Sequence, residues 1–394
     1  MENQKKKIGL VLRIAKNHNN YGSSLQNYAM LSQIWKLGYD CEIIQYQKHV
    51  SLFKKLWMVI QMFRIGAYHD QFRDLKARIS MKLRRKFADN IAIRTFAVNQ
   101  FKKEKIEPFV RVYDGFKNLC NGSLNYAFVV VGSDQLWTPM SLYNKYYNLL
   151  FVDDEIPKIS YGTSFGVSQI HKLQSKQYGE FLDRFNFVSV REISGKNIVE
   201  TVSSQTAKVV LDPTMLFTRE EWTKEIEISK VNTTESYIFC YLLGTNQEVR
   251  KVVNELKQKT GLKIIVIRHM DEYVATDENF GDEAPYDVSP LDFVKYISEA
   301  RYVCTDSFHG SVFSILFHRQ FMTFYRYPIQ NKGSRNSRID SLFKILGLEN
   351  RIYKEDIFNS IQNDIPYHDV DVKIKELRED SLQYLKNSLK ISVK

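Results

Sequence analysis

The sequence predicts an α/β protein: two Rossmann-like domains facing a cleft, with a basic helical insertion in the first domain. Three observations predict it. Short apolar runs of strand character alternate with longer runs of helical spacing from Ile8 to Tyr325, and that alternation builds parallel sheets covered by helices. The length, 394 residues, exceeds what one hydrophobic core usually serves and suits two domains. Polar loops of small residues follow several strands, where open α/β sheets bind their ligands. The expected division is residues 1–225 for the first domain, with the insertion at about 48–120. Residues 226–365 form the second domain and residues 366–394 a closing helix.

Ile8–Arg13 is short and apolar, as a buried strand requires. After the polar turn Asn17–Ser24, the run SLQNYAMLSQIWKLG has helical spacing and ends on Gly38, a helix stop. Tyr39–Tyr46 is the next strand. Tyr126–Val131 resumes the strand pattern, followed by Lys158–Gly162, a helix near Leu173–Phe185, and the strands Phe187–Val190 and Val209–Leu211. The second domain opens near Tyr237 with YIFCYLLG. Helix Glu248–Thr260, strand Lys263–Arg268, helix Ser289–Ala300 and strand Tyr302–Thr305 follow. A helix from Gly310, the strand Gln320–Tyr325 and a final helix over Asp371–Lys394 complete the chain.

The charge is confined to one place. The chain carries 56 Lys and Arg against 45 Asp and Glu, a net charge of +11. Between Lys48 and Lys105 stand 15 basic and four acidic residues, which accounts for the whole excess. That segment holds no Pro and one Gly, Gly66, and its charges recur at helical spacing. It has no nucleic-acid-binding signature, so no nucleic-acid partner is expected. Its start, SLFKKLWMVIQMFRIG, interleaves Phe53, Leu56, Trp57, Val59, Ile60 and Phe63 with Lys54, Lys55 and Arg64. Two readings stay open: a helix lying in an anionic membrane surface, and a helical excursion packed on the first domain. No run reaches the ~20 apolar residues of a membrane span, and the N-terminus lacks the apolar stretch of a signal peptide. The expected location is therefore cytoplasmic, on the inner face of the membrane in the first reading. The four cysteines, Cys41, Cys120, Cys240 and Cys304, lie far apart, which gives no support to zinc knuckles or redox dithiols. Zinc-hydrolase, serine-hydrolase, P-loop and dinucleotide signatures do not occur. The Asp153–Asp154 doublet reads as a surface turn before Pro157.

Five loops could carry chemistry. Asn17–Ser24 opens a helix, and its Asn20, Tyr21 and Gly22 leave backbone N–H groups open to an anion or simply form a turn and N-cap. Gln26 and Asn27 add polar groups just inside that helix. Gly132–Trp137 offers Ser133 and Asp134 to a sugar hydroxyl and Trp137 to a sugar ring, against an Asp cap and a core Trp. Arg191, just past a strand, suits a carboxylate or phosphate; the plain reading is a surface pair with Glu192. Thr305–Ser311 places Ser307, His309, Gly310 and Ser311 at a helix start, where an imidazole meets the positive end of the helix dipole and suits proton transfer. Lys332–Arg338 is a basic loop with Arg335 and Arg338, a lid that brings Arg to an anion or a solvated loop.

Six stretches in these places resemble the polysaccharide pyruvyl transferase family: NNYGSSLQNYAM, VVVGSDQLW, ISYGTSFG, VSVRE, VVLDPTMLF and TDSFHGSVFSILF. They keep the family's order and span roughly Ile8 to Leu346. The resemblance implies a fold of the GT-B kind and transfer of a pyruvyl group from phosphoenolpyruvate to a sugar, usually as a cyclic ketal and without metal or cofactor. It makes His309 the counterpart of the catalytic histidine and Arg191 that of a donor-binding arginine. The sequence departs from the family where an Arg two residues before the histidine is replaced by Ser307. Arg268, Arg335 and Arg338 are candidates to replace it. The expected roles are His309 as general acid/base and Asp134 assisting or binding the acceptor. The expected partners are phosphoenolpyruvate and a lipid-linked or nucleotide-linked glycan of cell-surface polysaccharide assembly. The alternatives are a nucleotide-sugar glycosyltransferase of the same architecture and a non-catalytic glycan-assembly protein.

Overall fold

A computed structural model describes residues 7–14, 19–48, 60, 84–326 and 336–390. Two parallel sheets organise them. The first holds β1 (Lys7–Val11), β2 (Cys41–Gln47), β3 (Val110–Asp114), β4 (Tyr126–Asp134), β5 (Lys158–Thr163), β6 (Val188–Val190) and β7 (Ala207–Val209). Its spatial order is β3-β2-β1-β4-β5-β6-β7. The second holds β8 (Tyr237–Tyr241), β9 (Lys263–Val266), β10 (Tyr302–Thr305) and β11 (Gln320–Thr323), in the order β11-β10-β8-β9. Every neighbouring pair is parallel. Strands buried on both faces lose the polar alternation of a surface sheet, and β4, β8 and β10 are buried almost throughout.

The strand order reverses between β1 and β4 in the first sheet and between β8 and β10 in the second. A crevice opens beyond the strand ends at such a reversal. The two crevices face each other because the domains share a core. One apolar cluster runs from Ile8 and Leu10 through Trp222 to Phe293 and Phe313. Within it, Tyr21 stacks on Phe293 at 4.9 Å between centroids, and Trp222 meets Phe313 edge-on at 5.2 Å. The helix Tyr367–Ser388 returns from the second domain to the first. There Ser381 accepts from the Leu211 amide at 3.0 Å, and Tyr384 donates to the Ser160 carbonyl at 2.9 Å.

The charge spacing predicts a helical insertion, but the insertion is not helical throughout. Val110–Asp114 is an edge strand, β3, paired with β2. Its Val and Tyr residues suit a strand, but an edge strand with one partner shows only a weak apolar signal. Most of the amphipathic start, including Phe53, Trp57 and Phe63, lies outside the described residues. The helix Arg85–Lys105 is described, and it bridges both domains. Phe101 packs edge-on against Tyr28 at 5.9 Å. The buried Arg94 donates to the Tyr286 and Pro285 carbonyls at 2.9 and 3.0 Å. Among the described residues no helix is long and apolar enough to cross a membrane. Cys41, Cys240 and Cys304 are buried and Cys120 is half-buried, all as thiols.

Candidate active site

Three strands of the first domain deliver their chemistry to one point. β4 ends on Ser133 and Asp134, Arg191 and Glu192 directly follow β6, and Asp212 stands in the chain after β7. Asp134 sits at φ 88°, a left-handed conformation that costs a non-glycine residue energy and is held only where surroundings enforce it. Asp212 is fully buried. Its Oδ2 accepts from Arg191 Nη1 at 2.7 Å, from Ser133 Oγ at 3.3 Å, and from Gln26 Nε2. Its Oδ1 accepts from the Thr214 amide and hydroxyl at 3.0 and 2.7 Å. Burial opposes the charge of Asp212, but the nearby His309 and Arg191 and the hydrogen bonds from Arg191 and Thr214 outweigh it. The carboxyl is held well below its usual range.

Asp134 follows the same logic. Burial opposes its charge, and Arg13 Nη1 and Arg191 Nη2, each at 3.6 Å, overcome it, so its carboxyl also falls below the ordinary range. Glu192 goes the other way. It is wholly buried, accepts from Ser164 Oγ at 2.7 Å and the Phe165 amide at 3.1 Å, and lies 4.0 Å from Arg191 Nε. Burial wins there and raises its carboxyl. Arg191 and Glu192 are thus a buried pair, not a surface one.

The second domain closes the point from the other side. Asp306, just past β10, accepts from the Leu243 and Gly244 amides at 2.7 and 2.6 Å and so ties the strand ends of the reversal together. Ser307 caps the helix Phe308–Leu316. His309 stands in that helix's first turn with its ring against Gly22: a Cβ on Gly22 would lie 2.0 Å from Nδ1. His309 Nε2 is 3.7 Å from Asp212 Oδ1. The Phe308 ring carries Arg191 at 5.2 Å and Arg338 at 5.4 Å from its centroid. Among the described residues, Nε and Nη2 of Arg191, and Nε of Arg338 and Arg326, are buried without a hydrogen-bond acceptor. Burial and the charge of Arg191 push Arg338 below the ordinary arginine range. Buried N–H donors without acceptors are costly, and like charges this close repel. An anion with several oxygens relieves both.

His309, Asp134, Ser133, Arg191, Gly22 and Arg338 therefore meet at one place. Other sequence candidates do not contribute as expected. Trp137 is a core residue, wedged among Phe165, Phe181 and Phe185, and it donates from Nε1 to the Tyr147 carbonyl at 3.0 Å. It has no face open to a sugar. Tyr21 is fully buried between domains and donates to the Val288 carbonyl at 3.1 Å. Asn20 caps the first helix, accepting from the Ser23 amide at 3.1 Å. Ser307, Gly310 and Ser311 build the helix start. The Ser307 hydroxyl accepts from the Gly310 amide, Ser311 pairs with Thr323 at 2.8 Å, and a Cβ on Gly310 would meet Thr305 Oγ1 at 2.4 Å. Arg268 donates to Tyr286 Oη at 3.0 Å and to the Glu278 carbonyl at 3.0 Å, within its own loop. Arg335 lies outside the described residues. Sequence reasoning missed Asp212, Arg13 and Arg326 as site residues. Arg13 and Asp212 stand where the strand-end search points: the first ends the Ile8–Arg13 run and the second directly follows Val209–Leu211. Arg326 reaches the Asp306 carbonyl at 3.1 Å from one residue past the last strand run.

A family model described as polysaccharide pyruvyl transferase matches residues 20–327. No curated protein matches the chain. Among solved structures, the MnaA–UDP complex of S. aureus is 10% identical with a TM-score of 0.51, covering 99% of this chain and 98% of that one. A UDP-GlcNAc 2-epimerase from Neisseria meningitidis bound to UDP-GlcNAc is 10% identical with a TM-score of 0.49, covering 96% and 99%. TarM of S. aureus, solved as a mutant with fondaparinux, a GlcNAc-glycerol and UDP, is 9% identical with a TM-score of 0.47, covering 98% and 100%. The likeness is one of fold: two Rossmann-like domains in the GT-B arrangement.

Proposed function

The chain belongs to the polysaccharide pyruvyl transferase family, and on that footing we propose that it moves a pyruvyl group from phosphoenolpyruvate to a sugar of a cell-surface polysaccharide precursor, forming a pyruvate ketal. One observation carries the donor assignment: among the described residues, buried guanidinium donors of Arg191, Arg338 and Arg326 lack acceptors in the same corner as His309. Phosphoenolpyruvate brings a carboxylate and a phosphate, and planar guanidinium groups bind both through paired N–H donors. Arg338, on the ring beside Ser307, supplies the charge that Ser307 lacks.

The reaction needs a proton on the donor's methylene carbon. Protonation makes that carbon a methyl and leaves positive character at C2. A sugar hydroxyl forms a bond to C2 and gives up its proton. The C2–O bond to phosphate breaks, and a second hydroxyl closes the ketal. The two hydroxyls lose two protons: one balances the proton taken up by the methylene, and the other leaves with the phosphate. His309 is the group that passes the proton. Asp212 faces its ring at 3.7 Å and stabilises the charged form when it arises. Asp134, held ionised, suits a hydrogen bond from an acceptor hydroxyl better than it suits proton transfer at neutral pH. The reading needs no cofactor, since the donor carries its own leaving group.

The test is phosphate release from phosphoenolpyruvate with lipid-linked or nucleotide-linked glycan acceptors, comparing the wild type with His309→Ala and Arg191→Ala. Thermal-shift titration with phosphoenolpyruvate and a panel of nucleotide sugars separates this reading from a glycosyltransferase. Unchanged release by His309→Ala removes His309 from the chemistry.

A further inference from the structure

A second basic place lies away from the arginine cluster. A cavity of about 490 Å³ opens between the start of the helix Arg85–Lys105 and the loop after β9. Such a volume suits a small-molecule ligand. Its walls carry Arg84, Arg85, Lys86 and Arg268, with Phe87 and Tyr273 between them. Arg84 lies over the Tyr273 ring at 3.9 Å, and Phe87 meets the same ring edge-on at 5.5 Å. The acids in the wall are already engaged. Asp277 takes a two-point ion pair from Arg250, and Glu278 accepts from Tyr273 Oη at 2.6 Å. The cations are thus in excess.

Two further observations point to a ligand. His269 is 6% exposed and lines the cavity, and its Nδ1 has no hydrogen-bond partner among the described residues. Arg268 Nε is buried in the same condition. Burial lowers the His269 imidazole, which leaves it neutral and able to donate or accept at neutral pH. The cavity also leads toward the catalytic corner. A smaller hollow of about 40 Å³ shares Arg268, His269 and Met270 with it and continues to Asn20 and Leu243. Asn20 stands two residues from Gly22, on which His309 rests, and Leu243 donates to Asp306.

We propose that this cavity is the acceptor's anchoring subsite, where Arg84, Arg85, Lys86 and Arg268 hold the diphosphate that carries the glycan. The inference rests on the pyruvyl-transfer reading and gives the diphosphate of its acceptor, a sugar diphosphate ester, a place in the fold. The diphosphate lies in the basic cavity, and the small hollow at Asn20 and Leu243 marks the side of that cavity that faces the catalytic corner. Phe87 and Tyr273 contact the group attached beyond the diphosphate. That group is a nucleoside or an isoprenoid, which share the diphosphate chemistry.

The probes are inorganic pyrophosphate, uridine diphosphate and geranyl diphosphate, titrated calorimetrically into the full chain, with phosphoenolpyruvate titrated separately. The variants are Arg84→Ala/Lys86→Ala, both exposed in the wild type, and Arg191→Ala in the other site. Diphosphate binding is expected to weaken about tenfold or more in the first variant, with phosphoenolpyruvate binding unchanged. Arg191→Ala is expected to do the reverse. The stronger of the two esters tells nucleoside from isoprenoid. Thermal unfolding confirms that the double variant and Arg191→Ala are both folded at the titration temperature. Diphosphate affinity unchanged in Arg84→Ala/Lys86→Ala overturns the proposal. So does the absence of any diphosphate binding by the wild type while phosphoenolpyruvate binds. Binding to phosphatidylglycerol vesicles that depends on Arg84 and Lys86, with no soluble diphosphate bound, overturns it in favour of a membrane contact. Diphosphate binding without phosphoenolpyruvate binding contradicts the donor reading instead.

Discussion

His309 Nε2 and Asp212 Oδ1 face each other at 3.7 Å across the junction of the two domains. The histidine comes from the helix after β10 and the aspartate from the end of the first sheet. Neither domain alone holds both, so the shared core that fixes the junction also fixes this pair. Removing the imidazole while leaving the arginines should separate chemistry from binding. His309→Ala is expected to lower kcat for phosphate release by roughly 100- to 10,000-fold. Donor affinity, read by calorimetry, should change little.

Gly22 is the shelf on which that ring rests. Gly22→Ala places a Cβ 2.0 Å from His309 Nδ1, so the ring must move. Alanine in a helix gains about 0.5–1 kcal/mol over glycine, while overpacking costs about 1–3 kcal/mol, so the net loss of stability is about 0–2.5 kcal/mol. Displacing a catalytic group by about 1 Å costs roughly 100-fold in rate. The expected outcome is a folded protein, at most modestly less stable, with a strongly reduced kcat.

Arg191 and Arg338 share the Phe308 ring but differ in their ties. Arg191 also neutralises Asp212 at 2.7 Å. Arg191→Ala leaves a buried carboxylate unpaired, a loss of about 3–5 kcal/mol of stability as well as of donor affinity. Arg338→Gln should raise KM for phosphoenolpyruvate about tenfold while leaving unfolding almost untouched, because the donor relieves its unmet N–H. Denaturant titration alongside steady-state kinetics separates the two.

The depressed Asp212 carboxyl makes a pH signature. A carboxyl lowered in the folded state stabilises the protein fully above its unfolded value of about 3.9. That contribution is lost as pH falls below that value toward the folded one. The stability difference between the wild type and Asp212→Asn should be constant from pH 7 to about 5 and shrink below about 4. Urea unfolding at each pH measures it. A difference that grows on acidification contradicts the ion-paired state of Asp212.

Trp137 gives a control. Trp137→Phe should cost about 1–3 kcal/mol through the lost Nε1 bond and the space left behind. KM for the glycan acceptor should not change, because the indole faces the core.

The two sheets and the helix that presents His309 are legible in the sequence because fully buried parallel strands are continuous apolar runs. Gly22, Ser133, Asp134, Arg191 and His309 were legible because each follows or opens an element at a strand end. Asp212 was not, since Asp-Pro after a strand also describes an ordinary turn. Trp137 and Tyr21 were misjudged for the opposite reason: a sequence does not show on which side of a loop an aromatic ring lies. β3 escaped because its neighbours in the chain are helical and basic, and one hydrogen-bonded partner leaves little apolar pattern. Arg338 stood beside Arg335 in one basic stretch, and its place on the Phe308 ring is not visible in the sequence.

The central claim is that this corner transfers a pyruvyl group from phosphoenolpyruvate to a glycan. The most direct measurement is mass spectrometry of diphosphate-linked glycan precursors after incubation with the protein and phosphoenolpyruvate. The account predicts a pyruvate ketal on the glycan, one phosphate released per ketal, and neither product with His309→Ala. An unmodified glycan across the precursor panel, with no phosphate released by a folded wild-type protein that binds both substrates, would contradict it.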